Sequence, residues 1–183
     1  MSTVLWLLAI QGAIGAFDTL YYHEWRARLP ARPEITAPEL RLHAGRDFLY
    51  AAIFGTLPWL AFEGVWVAAL VAILGAEIVL TMADFVIEID VRRSLGDVYG
   101  GERVTHAVMA ILYGAALAML VPALAAWWQQ PTALRLVPPA VPETLRWLLV
   151  VMAVGVFLSG ARDLYAAGRL PHGAWPWATR RAA

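Results

Sequence analysis

With no cysteine in the chain, metal or acid–base chemistry must rest on histidine and carboxylate, and their spacing here is orderly. His43 and Asp47 are four residues apart, as are Glu102 and His106, while Glu77, Asp84 and Glu88 follow one another at seven and four. At 3.6 residues per turn each set shares one helix face. Thr81 lies on the Glu77 face, and Tyr50 and Tyr113 follow His43 and His106 by seven residues. Imidazoles and carboxylates on several helices offer oxygen and nitrogen ligands that suit Fe, Mn or Zn. The expected metal ligands are Asp18, His43, Asp47, Glu77, Asp84, Glu88, Glu102 and His106. Glu77, with the phenols Tyr50 and Tyr113, is expected to serve catalysis, as ligand or proton relay. Arg46, Arg103, Arg162 and Asp163 are expected to pair with the ligands.

The elements that must position these groups are membrane helices. The chain has 183 residues, 61% hydrophobic and only 15% charged, with a mean hydropathy of +0.62. Five stretches approach the roughly 20 residues that cross a hydrocarbon core: Val4–Tyr22, Leu42–Phe62, Val65–Val86, Val104–Trp127 and Leu145–Gly160. The fold expected is an all-α bundle of five transmembrane helices, near 4–22, 37–62, 65–90, 102–127 and 144–167. An interfacial cytoplasmic tail, 168–183, completes one integral membrane domain, 1–183. The first apolar stretch lacks the basic leading region of a signal peptide and is expected to stay as a helix. Glu63-Gly64 should turn the second helix tightly into the third. "TAPE", Thr36–Glu39, has the form of a capping box and places the start of the second helix near Ala37. Gly100 and Gly101 make a break before the fourth.

Orientation follows from arginine, because there is no lysine. Five spans put twelve arginines on the side reached after the first helix and leave Arg135 and Arg146 on the other. The positive-inside rule then sets the N-terminus outside and the C-terminus in the cytoplasm of a bacterial-type inner membrane. Trp6, Trp59, Trp66, Trp127, Trp128 and Trp147 form an outer aromatic belt. A formal net charge of zero gives no field to attract nucleic acid. The expected partners are the bilayer and a hydrophobic small molecule or lipid, with a membrane protein or a second copy also compatible with the tryptophan-rich face.

This threading gathers the ionisable residues near one leaflet. His43, Glu102 and Glu88 lie shallowest, then Asp18, Asp47, Asp84 and His106, with Glu77, Gln11 and the two phenols deepest. A carboxylate at the bilayer centre costs about 2.5–3.5 kcal/mol on insertion scales, so Glu77 demands a partner. His23, Glu24, Asp90 and Asp163, at the boundary, are expected to form ion pairs or reach water, and His172 to be solvated.

In outline the pattern resembles the di-iron carboxylate site of helical bundles. It departs from that motif in spacing, since Glu102 and His106 are four apart rather than three. The resemblance implies two divalent transition metals, Fe before Mn or Zn, and oxidation, hydroxylation or desaturation of an apolar substrate. A zinc-dependent hydrolase of lipid amides or esters is the nearest alternative. A haem b electron-transfer subunit with His43 and His106 as axial ligands leaves the acidic stripe unexplained. A proton or ion carrier lacks polar positions in the outer half, and a structural network of acids with Arg46, Arg92, Arg103 and Arg162 is the plainest reading.

Overall fold

The computed structural model describes residues 1–136 and 141–177. Its main elements are α1 (Ser2–Asp18), α2 (Pro33–Thr56), β1 (Leu60–Glu63), α3 (Trp66–Arg93), α4 (Gly100–Trp128), β2 (Ala133–Leu136) and α5 (Glu143–Ala167). α1 continues as a π-wound stretch, Thr19–Ala27, and a 3₁₀ turn, Leu29–Ala31. α2 packs on both α5 and α3, and α1 packs on α4.

Four helices are long and apolar enough to cross a membrane: Ser2–Ala31 with its π and 3₁₀ turns, α3, α4 and α5. Their outward faces carry Val79, Val86, Val104, Ile111, Val151 and Leu158, all exposed. Such contiguous apolar surface is what a multi-pass membrane protein presents to lipid. α2 is not among the four. Glu34, Glu39, Arg41, Arg46 and Asp47 lower its hydropathy; Glu34 and Arg41 are exposed, while Glu39 and His43 are buried against neighbouring helices.

Helix boundaries differ from expectation mainly around α2. It starts at Pro33, where a proline's missing N–H costs nothing in the first turn. Thr36 lies inside the helix and does not cap it: its hydroxyl donates to the carbonyls of Leu29 at 2.7 Å and Arg32 at 3.0 Å. The helix then ends at Thr56 rather than 62, because Leu60–Glu63 pairs antiparallel with Ala133–Leu136. The chain does turn at Gly64, but from a strand into α3. Gly64 has φ +58°, and a Cβ there would fall 2.7 Å from the Thr132 backbone. Only glycine fits that crossing comfortably. Before α4, Glu102 accepts a bond from the Tyr99 amide at 3.4 Å, so a cap stands where the two glycines marked a break. Arg180 and Arg181, and the prolines of 137–140, lie outside the described residues.

Leu5, Leu8, Phe54, Leu57, Leu70, Leu120, Leu145 and Leu149 fill the core from the β-paired end. At the opposite end the core turns polar. Asp18, His23, Glu39, His43, Asp84, Glu88, Arg92, Glu102, His106 and Asp163 are all buried there.

Candidate metal centre

α3 supplies the spine of the polar end. Its buried residues are Val67, Leu70, Leu74, Glu77, Thr81, Asp84, Glu88 and Arg92, a single stripe at steps of three and four. The stripe is apolar toward the β-paired end and charged from Glu77 onward, so one helix face serves both core and site. α2 faces it with Glu39, His43, Arg46 and Tyr50, again one turn apart.

Two groups of ligand-type atoms form against this spine. In one, Asp18, His23 and His106 bring one atom each within 4.8 Å of the others. His106 Nε2 lies 3.1 Å from Asp18 Oδ2, and His23 Nε2 lies 3.3 Å from the same oxygen. In the other, Glu39, His43 and Asp84 meet equally closely. His43 Nε2 is 3.2 Å from Asp84 Oδ2 and 3.8 Å from Glu39 Oε1. The groups adjoin: the His23 and His43 rings stack at 4.6 Å and 9°, while His106 stands edge-on to His23 at 6.2 Å.

Winding explains how His23 arrives. Asp18 and His23 are five residues apart, which on an α-helix separates them by about 140°. The wider i→i+5 winding of Thr19–Ala27 carries His23 round to the Asp18 side. π segments are enriched at functional sites for this reason, since they re-aim a side chain without ending the helix.

Guanidinium groups hold the acids together. Arg92, fully buried, lies 2.8 Å from Glu39 and 3.0 Å from Glu102, joining α2, α3 and α4. Arg46 lies 2.9 Å from Asp84 and 3.8 Å from Glu77. Glu102 Oε1 also comes within 3.1 Å of His23 Nε2. Even so, two atoms are left over. Asp18 Oδ1 and Asp84 Oδ1 are buried and make no hydrogen bond among the described residues. Buried polar atoms seldom go without partners.

The expected ligands divide accordingly. Asp18, His43, Asp84 and His106 sit in the two groups. Glu102 touches His23, and Glu88 lies 4.0 Å from His106 Nδ1. Asp47 lines an adjoining cavity without joining either group. Glu77 stands apart and deeper: its Oε1 accepts from Tyr50 at 2.8 Å and Thr81 at 2.7 Å. Tyr113 donates to the Leu74 carbonyl at 3.3 Å and packs edge-on to Tyr50. Among the supporting groups, Arg46 is in place and Asp163 Oδ2 is 3.8 Å from His43 Nδ1. Arg162 pairs with Glu24 at the rim, as that acid was expected to find an arginine. Arg103 does not reach the site; it pairs with Asp97 on the surface.

Sequence reasoning missed His23 and Glu39 as candidates and underrated Arg92. His23 was expected at the boundary, yet it is buried at the centre of the cluster. Glu39 was absorbed into a supposed cap, although its four-residue spacing to His43 was visible. Arg92 continues the α3 stripe by one further turn, and that too was legible.

A cavity of about 720 Å³ opens beside the first group, between α1, α2 and α5. Asp18, His23, His43 and Asp163 line its polar end, and Gly12, Gly15, Phe54, Met109, Met152 and Gly155 its apolar wall. The tail residues Trp175–Trp177 cover its mouth, held by bonds from Arg162 to the Trp175 carbonyl and from Trp177 to Glu24. Comparison with protein-family models, curated proteins and solved structures finds no match to this chain.

Proposed function

We propose that the protein holds two divalent transition ions, one in each His/carboxylate group, and uses them to oxidise a hydrophobic or lipid-like molecule admitted by the adjoining cavity. In this reading the chain crosses a bacterial-type inner membrane five times. Its N-terminus is outside, and the polar end lies in the cytoplasmic leaflet. α2 is the fifth span, its charges shielded by the other four. The observation that carries the proposal is the pair of buried His/carboxylate groups at ligand spacing, in which Asp18 Oδ1 and Asp84 Oδ1 make no hydrogen bond among the described residues.

Charge supports it. Buried acids at this end outnumber the arginines that touch them, and an uncompensated carboxylate in low dielectric is expensive. Divalent ions offset that excess. Mixed nitrogen and oxygen donors favour Fe, with Mn or Zn next. Bound there, iron would supply the one-electron chemistry that dioxygen activation needs. The chain's own part is to exclude water with the apolar wall, hold substrate beside Asp18 and His23, and relay protons through Glu88 or Glu102. Haem fits less well, because the His23 ring stacks against His43 and stands edge-on to His106 where a macrocycle would need room.

Elemental analysis of the purified protein, with an optical and Mössbauer spectrum, tests the reading. Two irons per chain are expected, and His43→Ala and His106→Ala should each lower the metal content by about half, one group at a time. Zinc as the resident ion would assign the hydrolytic alternative. A Soret band would assign haem. Metal-free protein with intact fold would leave the cluster as a structural network.

A further inference from the structure

Glycine on α5 serves two opposite ends. At Gly160 the helix presses on α2, where an added Cβ would fall 2.9 Å from the Asp47 Cβ and 3.1 Å from the Ala44 carbonyl oxygen. At Gly155 an added Cβ meets nothing within 4 Å. Gly155 lines the cavity, as do Gly12, Gly15 and Ala16 on α1. Small residues on facing membrane helices ordinarily let the backbones close up. Between α1 and α5 they leave a cavity of about 720 Å³ instead, which is the size of a small-molecule site.

The rim of this cavity reaches the outside of the bundle. Leu20 on the π-wound stretch and Leu158 on α5 both line it, yet they are 67% and 60% exposed. A side chain that lines a cavity and is mostly open to the exterior marks an edge. Beside that edge Phe17, Val154 and Phe157 are exposed and apolar as well. In a membrane, such a surface faces acyl chains. The far wall is internal: Phe54 of α2 lines the cavity and is buried. The polar end is roofed. Arg162 donates to the Trp175 carbonyl at 2.7 Å and pairs with Glu24, which accepts from Trp177 Nε1 at 3.2 Å. The Arg28 guanidinium lies 4.5 Å from the centre of the Trp177 ring.

We propose that the cavity receives one acyl chain of a membrane lipid, which enters sideways from the bilayer between α1 and α5 while Trp175–Trp177 stay closed over the polar end. The chain lies along the glycine-lined wall against Phe54 and Met152. Water is kept off that wall by the roof, and lipid reaches it through the side. The inference rests on reading the chain as a membrane protein and this cavity as its substrate site, and it narrows the substrate to an acyl lipid taken from within the bilayer.

A phosphatidylcholine with a diazirine at the end of one acyl chain, mixed into nanodiscs around the full chain, reads the route. After illumination, fragment mass spectrometry should find adducts at Phe54 and Met152 on the cavity wall. Adducts at the outward residues Val79 and Val151 report ordinary lipid contact. Gly155→Trp should lower the wall adducts about tenfold, since an indole takes the space beside that backbone, and should leave those at Val79 unchanged. Trp177→Ala should leave both sets unchanged, because the roof is not the way in. An absence of wall adducts in the unaltered protein overturns the inference, and that comparison needs no variant to fold. Wall adducts that ignore Gly155→Trp also overturn it, as do wall adducts that rise with Trp177→Ala, which would make the polar end the entrance. Metal content measured on the same samples keeps the two readings apart. Metal-free protein with wall adducts removes only the metal centre, and metal-loaded protein without them removes only this inference.

Discussion

The two ends of the bundle handle buried charge in opposite ways. At the β-paired end one carboxylate, Glu63, is buried against the exposed Arg135 at 2.9 Å, a diagonal pair on adjacent strands, since Glu63 faces Ala133 and Arg135 faces Ala61. Arg146 lies over the Trp59 ring, which meets Trp147 edge-on. Of these groups Arg135 is exposed, while Glu63 and Arg146 are buried. At the polar end every helix contributes, and Arg92 joins α2, α3 and α4 with no exposure at all. The difference is one of number and depth: at the polar end buried acids outnumber the arginines that touch them, and two His/carboxylate groups meet at short range.

Substitutions can break this contrast. Arg92→Leu should have the largest effect, stranding Glu39 and Glu102 in the core at a cost of about 3–5 kcal/mol. Denaturant titration in detergent measures it, and a loss below about 1 kcal/mol would mean those acids are satisfied without Arg92. Gly64→Ala should come next, at about 1–3 kcal/mol, since a Cβ at φ +58° meets Thr132. It loosens the β-paired end and should leave metal content untouched; a fall in metal would tie the two ends together. Arg135→Leu should cost about 1 kcal/mol or less because its charge is exposed to water. A larger loss would show that this pair works like the polar end.

The smallest effect concerns the α3–α4 loop. The Val98 amide, helped by Arg103, holds the Asp97 carboxyl below its ordinary 3.8. A depressed folded value stabilises the loop above the unfolded value and fades as pH falls through the folded one. Amide exchange across 94–99 should therefore quicken only in strong acid, below about pH 4, and metal loading should not follow the same curve. If it does, the loop and the centre titrate as one unit.

Much of this was open to sequence reasoning, for a physical reason. Helical period is a local property, so the face shared by Glu77, Thr81, Asp84 and Glu88 could be read directly, as could the pairing of His106 with the depth of Asp18. The strand at Leu60–Glu63 could not, because its partner lies some seventy residues away and the segment is apolar enough for a helix. Arg103, near the right acids in sequence, turns to Asp97 once the loop closes.

The sequence by itself determined the membrane-like composition, the helical class and the single polar stripe of α3, since these follow from hydropathy and a repeat near 3.6. Tertiary structure alone decided that a π-wound turn delivers His23 between His43 and His106, and that Glu39 meets His43 and Asp84. Each of those depends on which helices meet and at what rotation. Packing sets that, and no local pattern of residues records it.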